Sequence, residues 1–364
     1  MQGSLDLDRR AFLAAGGALL AASGTRAHAR PTQRSRVDAV FEANAAVLPE
    51  RAGAGANHYP MAAEALEHLG RTEGIADSWI AGAKGYRGPI PRVEPIDDVE
   101  SAIGDPDRYG DWLDLFRAAL VEGDWAAVVA RWAPRLAPGL TAGAFHGLVR
   151  AGHAARALGR VDTPHRRAEL ATALAYWASA YIEIPTREDA ERNPLDRVEH
   201  PWLDETEDVD FFGVTERLVR RPVAPPLREI DPSHARAQLD ALVREAAAGF
   251  LEMLVQERHR IWMLHTVTAP AAVDLLLRAV ADDDAAILVA HADRAVVAMF
   301  AAYGAPYEPR THVRATPPTW TKLMDHAASS ESVHTIKLFE ALERFDRDDD
   351  ALCRSVAAQW MEWT

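Results

Sequence analysis

Apolar residues recur every three or four positions through most of this chain, and no stretch alternates with period two for long enough to build a sheet. Residues 112–122, 126–136, 142–158, 166–181, 234–255, 271–280, 285–302 and 331–344 carry the pattern. They are rich in Ala, Leu and Arg, which favour helices intrinsically. The punctuation agrees. Thr163-Pro164 and Asp231-Pro232-Ser233 read as helix N-termini, Asp105-Pro106 opens a short helix, and Gly159 and Gly304 read as C-terminal stops. A further helix is predicted over 61–69, entered through Pro60. The expected class is all-α: one domain of packed helical pairs over residues 30–364, with a pocket between helices. No fixed-length repeat indicates a solenoid. One long interruption, 183–231, is rich in Pro, Asp and Glu and contains Phe211-Phe212-Gly213. A loop of that length is either a working element or a solvated connection between helical halves.

Residues 1–29 read as a targeting leader rather than as part of the fold. Asp8-Arg9-Arg10-Ala11-Phe12-Leu13 is a twin-arginine core, a weakly apolar run follows from Ala14 to Ala22, and Ala27-His28-Ala29 offers a small-x-small cleavage site. The run is too short and Gly-rich for a permanent span, which needs about 20 apolar residues. The expectation is a periplasmic or secreted protein without membrane anchoring after processing, exported already folded. The leader holds three Arg and two Asp, so its removal takes the formal charge from −14 to −15. That acidic balance, with no basic stripe, argues against nucleic-acid partners. Cys353 is the only cysteine, so no internal disulfide is possible and stability must come from the core.

Five of the histidines sit in otherwise apolar or small-residue segments: His58, His146, His153, His265 and His334. Burying an imidazole is costly unless both ring nitrogens find partners. Each could be a lone core histidine bonded to a nearby carbonyl; as a set they are what a helical metal pocket requires. His146 and His153 share one helix face about 10.5 Å apart along the axis, too far for both to ligate one metal. One of them is expected to be a ligand and the other to face substrate or support the ligands. Gly147 and Gly152 leave room for a close neighbour, and Arg150 needs a partner if buried. His334 and Lys337 share a face beside Val333, Ile336, Leu338 and Phe339. Lys337 is either a lysine snorkelling to solvent or a buried amine of lowered pKa, able to take up carbon dioxide as a carbamate. His265 follows Ile261-Trp262-Met263-Leu264 and precedes Pro270, where a helix break is expected. His165, His200, His234 and His291 lie among charges and are expected to be exposed, while His68, His259, His312 and His326 are left open.

Several motifs, in order, resemble the questin oxidase family: Asn57-His58-Tyr59-Pro60-Met61, Gly104-Asp105-Pro106 with Tyr109-Gly110-Asp111-Trp112, Phe145-His146-Gly147-Leu148-Val149-Arg150 with Gly152-His153-Ala154-Ala155-Arg156, Leu264-His265-Thr266-Val267-Thr268, and His334-Thr335-Ile336-Lys337-Leu338. The resemblance spans nearly the whole of residues 30–364. It implies a helical oxygenase of the kind that opens an anthraquinone ring in fungal aromatic polyketide pathways; the twin-arginine leader is a departure from those members. It also implies a non-haem Fe(II) held by His58, His146, His265 and His334, with Lys337 as a carboxylated lysine. By the same resemblance the partners are dioxygen and a small aromatic substrate, with NADPH as an external reductant, since no Gly-rich dinucleotide fingerprint is present. His153 and Tyr59 are candidates for hydrogen bonds to substrate, and Trp262 and Phe145 for an apolar wall. A metal-dependent hydrolase and a non-catalytic helical binding protein are the competing readings.

Overall fold

The structure is a computed structural model, described here for residues 35–51, 55–81, 84–188, 211–257, 260–304, 312–347 and 351–364. The expected leader, His200 and His259 lie outside the described residues. In chain order the structure gives α1 (Arg36–Asn44), a hairpin of β1 (Glu50–Arg51) and β2 (Gly55–Ala56), α2 (Tyr59–His68), the one-turn helices α3 (Asp77–Ile80) and α4 (Val99–Ala102), then α5 (Tyr109–Glu122), α6 (Trp125–Leu136), α7 (His146–Arg160) and α8 (Pro164–Ser179). It continues with α9 (Phe211–Arg220), α10 (Ala235–Val255), α11 (Arg260–Met263), α12 (His265–Leu276), α13 (Asp282–Tyr303), α14 (Trp320–Ser329), α15 (Val333–Arg344) and α16 (Leu352–Trp363). The fold is all-α. Its one strand pair among the described residues is antiparallel, with Glu50 opposite Ala56 and Arg51 opposite Gly55.

The caps follow the sequence signals. Thr163 accepts the Arg166 N–H and Asp231 accepts the Ser233 N–H; Ser332, a cap the sequence reading did not single out, accepts the Thr335 N–H, and each satisfies a donor the helix itself leaves unpaired. Four details differ from expectation. α7 starts at His146, not 142, because Gly143, Ala144 and Phe145 all adopt left-handed φ and cannot belong to a right-handed helix. Gly159 lies inside the last turn of that helix, which runs on to Arg160. α12 passes through Pro270 without the expected break; only the bond to the Thr266 carbonyl is lost, within the first turns. α9 forms inside the segment expected to be a loop, of which 189–210 lie outside the described residues.

α7 is the packing centre, resting on α8, α12 and α2, while α15 lies against both α2 and α12. Two glycines allow that closeness. A Cβ on Gly147 would stand 2.7 Å from the Trp177 Cα, and one on Gly152 would stand 2.7 Å from the Ala272 carbonyl oxygen. The main core runs from Met61 to Trp360 and includes the aromatic group Trp112, Phe116 and Trp132. A smaller cluster of Val37, Val40, Phe41, Leu66, Trp79 and Ile336 covers the far side of α2. Each large side chain so buried contributes about 1.5–3 kcal/mol. α13 is long and apolar enough to cross a membrane, with mean hydropathy 1.6 over its best window, but most of it is buried against α10 and α12.

Candidate metal centre

Four helix beginnings meet at one place. His58 immediately precedes α2, His146 and His265 are the first residues of α7 and α12, and His334 is the second residue of α15. Helical Cα–Cβ bonds tilt toward the N-terminus, so side chains of the first turn project past the helix end. The imidazole rings consequently crowd together. Centroid separations are 4.6 Å for His58–His146, 4.6 Å for His58–His334, 5.0 Å for His146–His265 and 5.7 Å for His265–His334. The ligand atoms of His58, His146 and His334 all lie within 4.8 Å of one another. His146 and His265 are fully buried, whereas His58 and His334 are half-buried and mark the side nearer solvent.

Two of the rings are locked in one orientation. His146 Nδ1 lies 2.8 Å from the Gly143 carbonyl, and His265 Nδ1 lies 3.0 Å from the Ile261 carbonyl. A carbonyl can only accept, so Nδ1 carries the proton and Nε2 of the neutral ring keeps a lone pair. Burial and the Lys337 charge keep these rings neutral: His146 is pushed down to about 3, and burial drives His58, His265 and His334 well below the usual imidazole range. Nε2 of His58 lies 2.9 Å from Nε2 of His146. With a lone pair on the latter, that approach needs either a proton on His58 Nε2 or a cation between the two.

The turn before His146 explains its aim. Gly143, Ala144 and Phe145 have φ of 52°, 55° and 69°, a strained run costing about 1–3 kcal/mol at each non-glycine residue. It turns the Gly143 carbonyl back onto the His146 ring. Tyr176 closes the turn from behind: its hydroxyl lies 3.5 Å from the same carbonyl and donates to the Glu50 carboxylate, and a Cβ on Gly143 would come within 2.1 Å of it. Burial raises the Glu50 carboxyl against the opposing pull of that hydrogen bond, and raises the Tyr176 phenol further.

Lys337 lies one turn beyond His334, 1% exposed, and its Nζ has no hydrogen-bond partner among the described residues. The snorkelling alternative is thereby corrected: helix packing on both flanks leaves the amine no route to water. Burial brings it down to about 7, so a substantial neutral fraction exists near neutral pH. It shares a face of α15 with His334, and its charge, when the amine is protonated, lowers all four imidazoles. Imidazole lone pairs held in a fixed tautomer, with an unpartnered buried amine beside them, fit a divalent transition metal of the iron, cobalt or zinc type. No Asp or Glu joins the compact histidine group among the described residues.

The structure separates the two histidines of α7. His146 joins the cluster, while His153 gives Nδ1 to the Glu64 carboxylate at 2.7 Å and is buried in a different network. Of its two nitrogens only Nε2 is left for another partner. Tyr59 stacks on Trp79 at 5.5 Å, Trp262 meets Tyr303 edge-on at 6.0 Å, and Phe145 is buried in the main core. Arg150 finds Glu169 with two bonds of 2.5 and 2.9 Å. His234 is exposed as expected, but His165 and His291 are half-buried, and burial pushes His291 down to about 4. His312 approaches Glu252 at 3.0 Å, His68 stands 3.8 Å from Glu343, and His326 lies against Phe339.

Sequence reasoning missed Glu64, Arg156 and Glu340, which form the network around His153. A signal existed: Glu64 and Glu340 are charges on the apolar faces of helices, as telling as a histidine there. No protein-family model and no curated protein matches this chain.

Proposed function

We propose that this protein is a mononuclear non-haem iron oxidoreductase, an oxygenase acting on a small aromatic, phenol-bearing substrate. The reading rests on the convergence of His58, His146, His265 and His334 beside the unpartnered amine of Lys337. Its finer content, iron and an aromatic substrate, comes from the resemblance to the questin oxidase family. Iron(II) bound there would supply electrons to dioxygen and an open position for it.

The chain's own residues do the rest. The carbonyls of Gly143 and Ile261 hold Nδ1 protons, so that Nε2 of His146 and His265 points a lone pair inward. Lys337, as the neutral amine, adds carbon dioxide and releases one proton, giving a carbamate whose oxygen is a hard anionic donor. Burial of His146, His265 and Lys337 excludes water from the inner side, and the half-buried His58 and His334 leave the outer side for substrate. Tyr59 is the candidate hydrogen-bonding group for a phenol, with Trp262 and Phe145 as apolar walls, whereas His153, held by Glu64 on the inner side, supports the ligands instead of facing substrate. Reducing equivalents come from NADPH through a separate component, and the working compartment is the periplasm or the exterior, reached by twin-arginine export. A two-metal hydrolase is less well supported, because no carboxylate joins the histidine group among the described residues.

The test is elemental analysis of chain folded in the cytoplasm, followed by oxygen-electrode assays with hydroxylated anthraquinones and a reductant. About one iron per chain and substrate-dependent oxygen uptake are expected. Stoichiometric zinc without oxygen uptake, or failure to take up Fe(II) anaerobically, overturns the reading.

A further inference from the structure

A chain of buried charges ties together the same four helices that carry the histidines. Glu64 on α2 accepts from Arg156 Nε at 2.8 Å and is bonded by His153 Nδ1 at 2.7 Å, both from α7. Arg156 continues through Nη1 to Glu340 on α15. Glu340 also accepts from Arg344 Nε at 2.6 Å, and Arg344 reaches α12 twice, at the Asp274 carboxylate (2.7 Å) and the Ala271 carbonyl (2.8 Å). The bonds thus begin on the helix behind His58, cross the helix of His146, pass to that of His334 and end on that of His265.

The depth of these bonds is regular. Glu64 stands six residues beyond His58, and Glu340 six residues beyond His334. On adjacent helices both carboxylates therefore lie roughly 9 Å along the axis from their histidines. Arg156 spans the two with one planar guanidinium, a group whose fixed fork tolerates little sliding or rotation. Glu64 and Glu340 are 0% and 1% exposed. Networks this buried give up so much hydration that they add little net stability, and their lasting effect is on geometry. The surrounding contacts are largely between Ala and Leu, which permit small slips of one helix on another, whereas a metal centre requires its donors within about 0.2 Å.

We infer that Glu64, Arg156, Glu340 and Arg344 are positioning residues for the metal centre, setting the register of the four helix beginnings so that the imidazoles meet. The inference rests on the metal reading proposed above. It is tested with Co(II) as the probe, added to metal-free full-length chain, by reading Kd, the visible ligand-field bands and Tm. Arg156→Met is expected to weaken Co(II) binding 10–100-fold and to shift the bands. Arg156→Lys should fall between it and the unaltered chain, since one ammonium cannot fork to both carboxylates. Glu169→Gln is the control: it breaks a buried ion pair between α7 and α8, and only the first of these carries a histidine of the centre. It should lower Tm while Co(II) affinity and spectrum stay as in the unaltered chain. Should Arg156→Met not fold, Glu340→Gln is read in its place with the same expectation. A folded variant with unaltered Co(II) affinity and bands overturns the positioning role. Failure of the unaltered chain to bind Co(II) at all overturns the metal reading instead, and the inference with it.

Discussion

The Nε2 atoms of His58 and His146 lie 2.9 Å apart although 88 residues separate them in the chain. Two neutral imidazoles hold that distance only by sharing a hydrogen or a cation, so the contact is a point where ligand loss has a sharp effect. His146→Ala and His265→Ala are each expected to reduce metal affinity by more than about 100-fold, because each removes a ring already fixed in the ligating tautomer. His153→Ala should lose about 10–100-fold, through the Glu64 network. Equilibrium titration with Co(II) orders the three. Equal losses for His146→Ala and His153→Ala would remove the distinction drawn between them.

Lys337 gives a prediction with two opposite signs. In metal-free protein Lys337→Met should raise stability, since it removes a buried amine without a partner, by about 1–3 kcal/mol. In the same variant iron content and activity should both fall, and in Lys337→Ala, which does leave a space, short carboxylates should restore part of each. Lys337→Arg should restore neither, since guanidinium cannot take up carbon dioxide. Denaturant unfolding of the metal-free variants and iron analysis check the two arms. Full iron occupancy in Lys337→Met would leave a site of histidines only.

Acid sensitivity is assigned to Glu64. Burial alone would raise its carboxyl, but Arg156 and His153 outweigh burial and hold it at about 2, below the ordinary 4.5. A carboxyl depressed in the folded state contributes stability that is present above the unfolded value and is lost as pH falls through the folded one. The loss therefore runs from pH 4.5 down to about 2. Glu64→Gln should be destabilised by about 3–5 kcal/mol at neutral pH, where it strands Arg156. It should also show a flatter decline between those two pH values. Parallel pH profiles for the two proteins, by urea unfolding, would move the acid response elsewhere.

Gly143→Ala tests the turn that aims His146. The φ of 52° costs an alanine about 1–3 kcal/mol, and its Cβ collides with Tyr176 besides. Lower Tm together with weaker Co(II) binding is expected. A fall in Tm at unchanged affinity would mean that the Gly143 carbonyl does not orient the ring.

Much of this architecture is legible in the sequence. The three- and four-residue spacing predicts the long helices, and the caps at Thr163 and Asp231 lie where short polar side chains precede apolar runs. His58, His146, His265 and His334 were visible as polar residues in apolar surroundings. The choice between His146 and His153 was not, because seven residues on a helix leave both on one face. What separates them is a left-handed turn through Ala144 and Phe145, residues with no intrinsic preference for it, imposed by packing around Tyr176. The passage of α12 through Pro270 escaped for the same kind of reason: flanking helices offset one lost backbone bond. Glu64 and Glu340 stand out as charges on apolar helix faces, but their connection through Arg156 is not legible, because nothing local announces which distant charge each one meets.

Histidines drawn from the beginnings of α2, α7, α12 and α15 impose an order on the life of the chain. During synthesis at about 5–20 residues per second, His58 leaves the ribosome on the order of tens of seconds before His334 and Lys337 follow. Until α15 has emerged and docked against α2 and α12, no complete cage exists, and a half-built one presents only scattered imidazoles to whatever ion is near. Metal choice therefore falls to the compartment in which the last helix docks, where ion abundance counts for as much as donor chemistry. On the proposed twin-arginine route, by which the chain would leave already folded, that compartment is the cytosol.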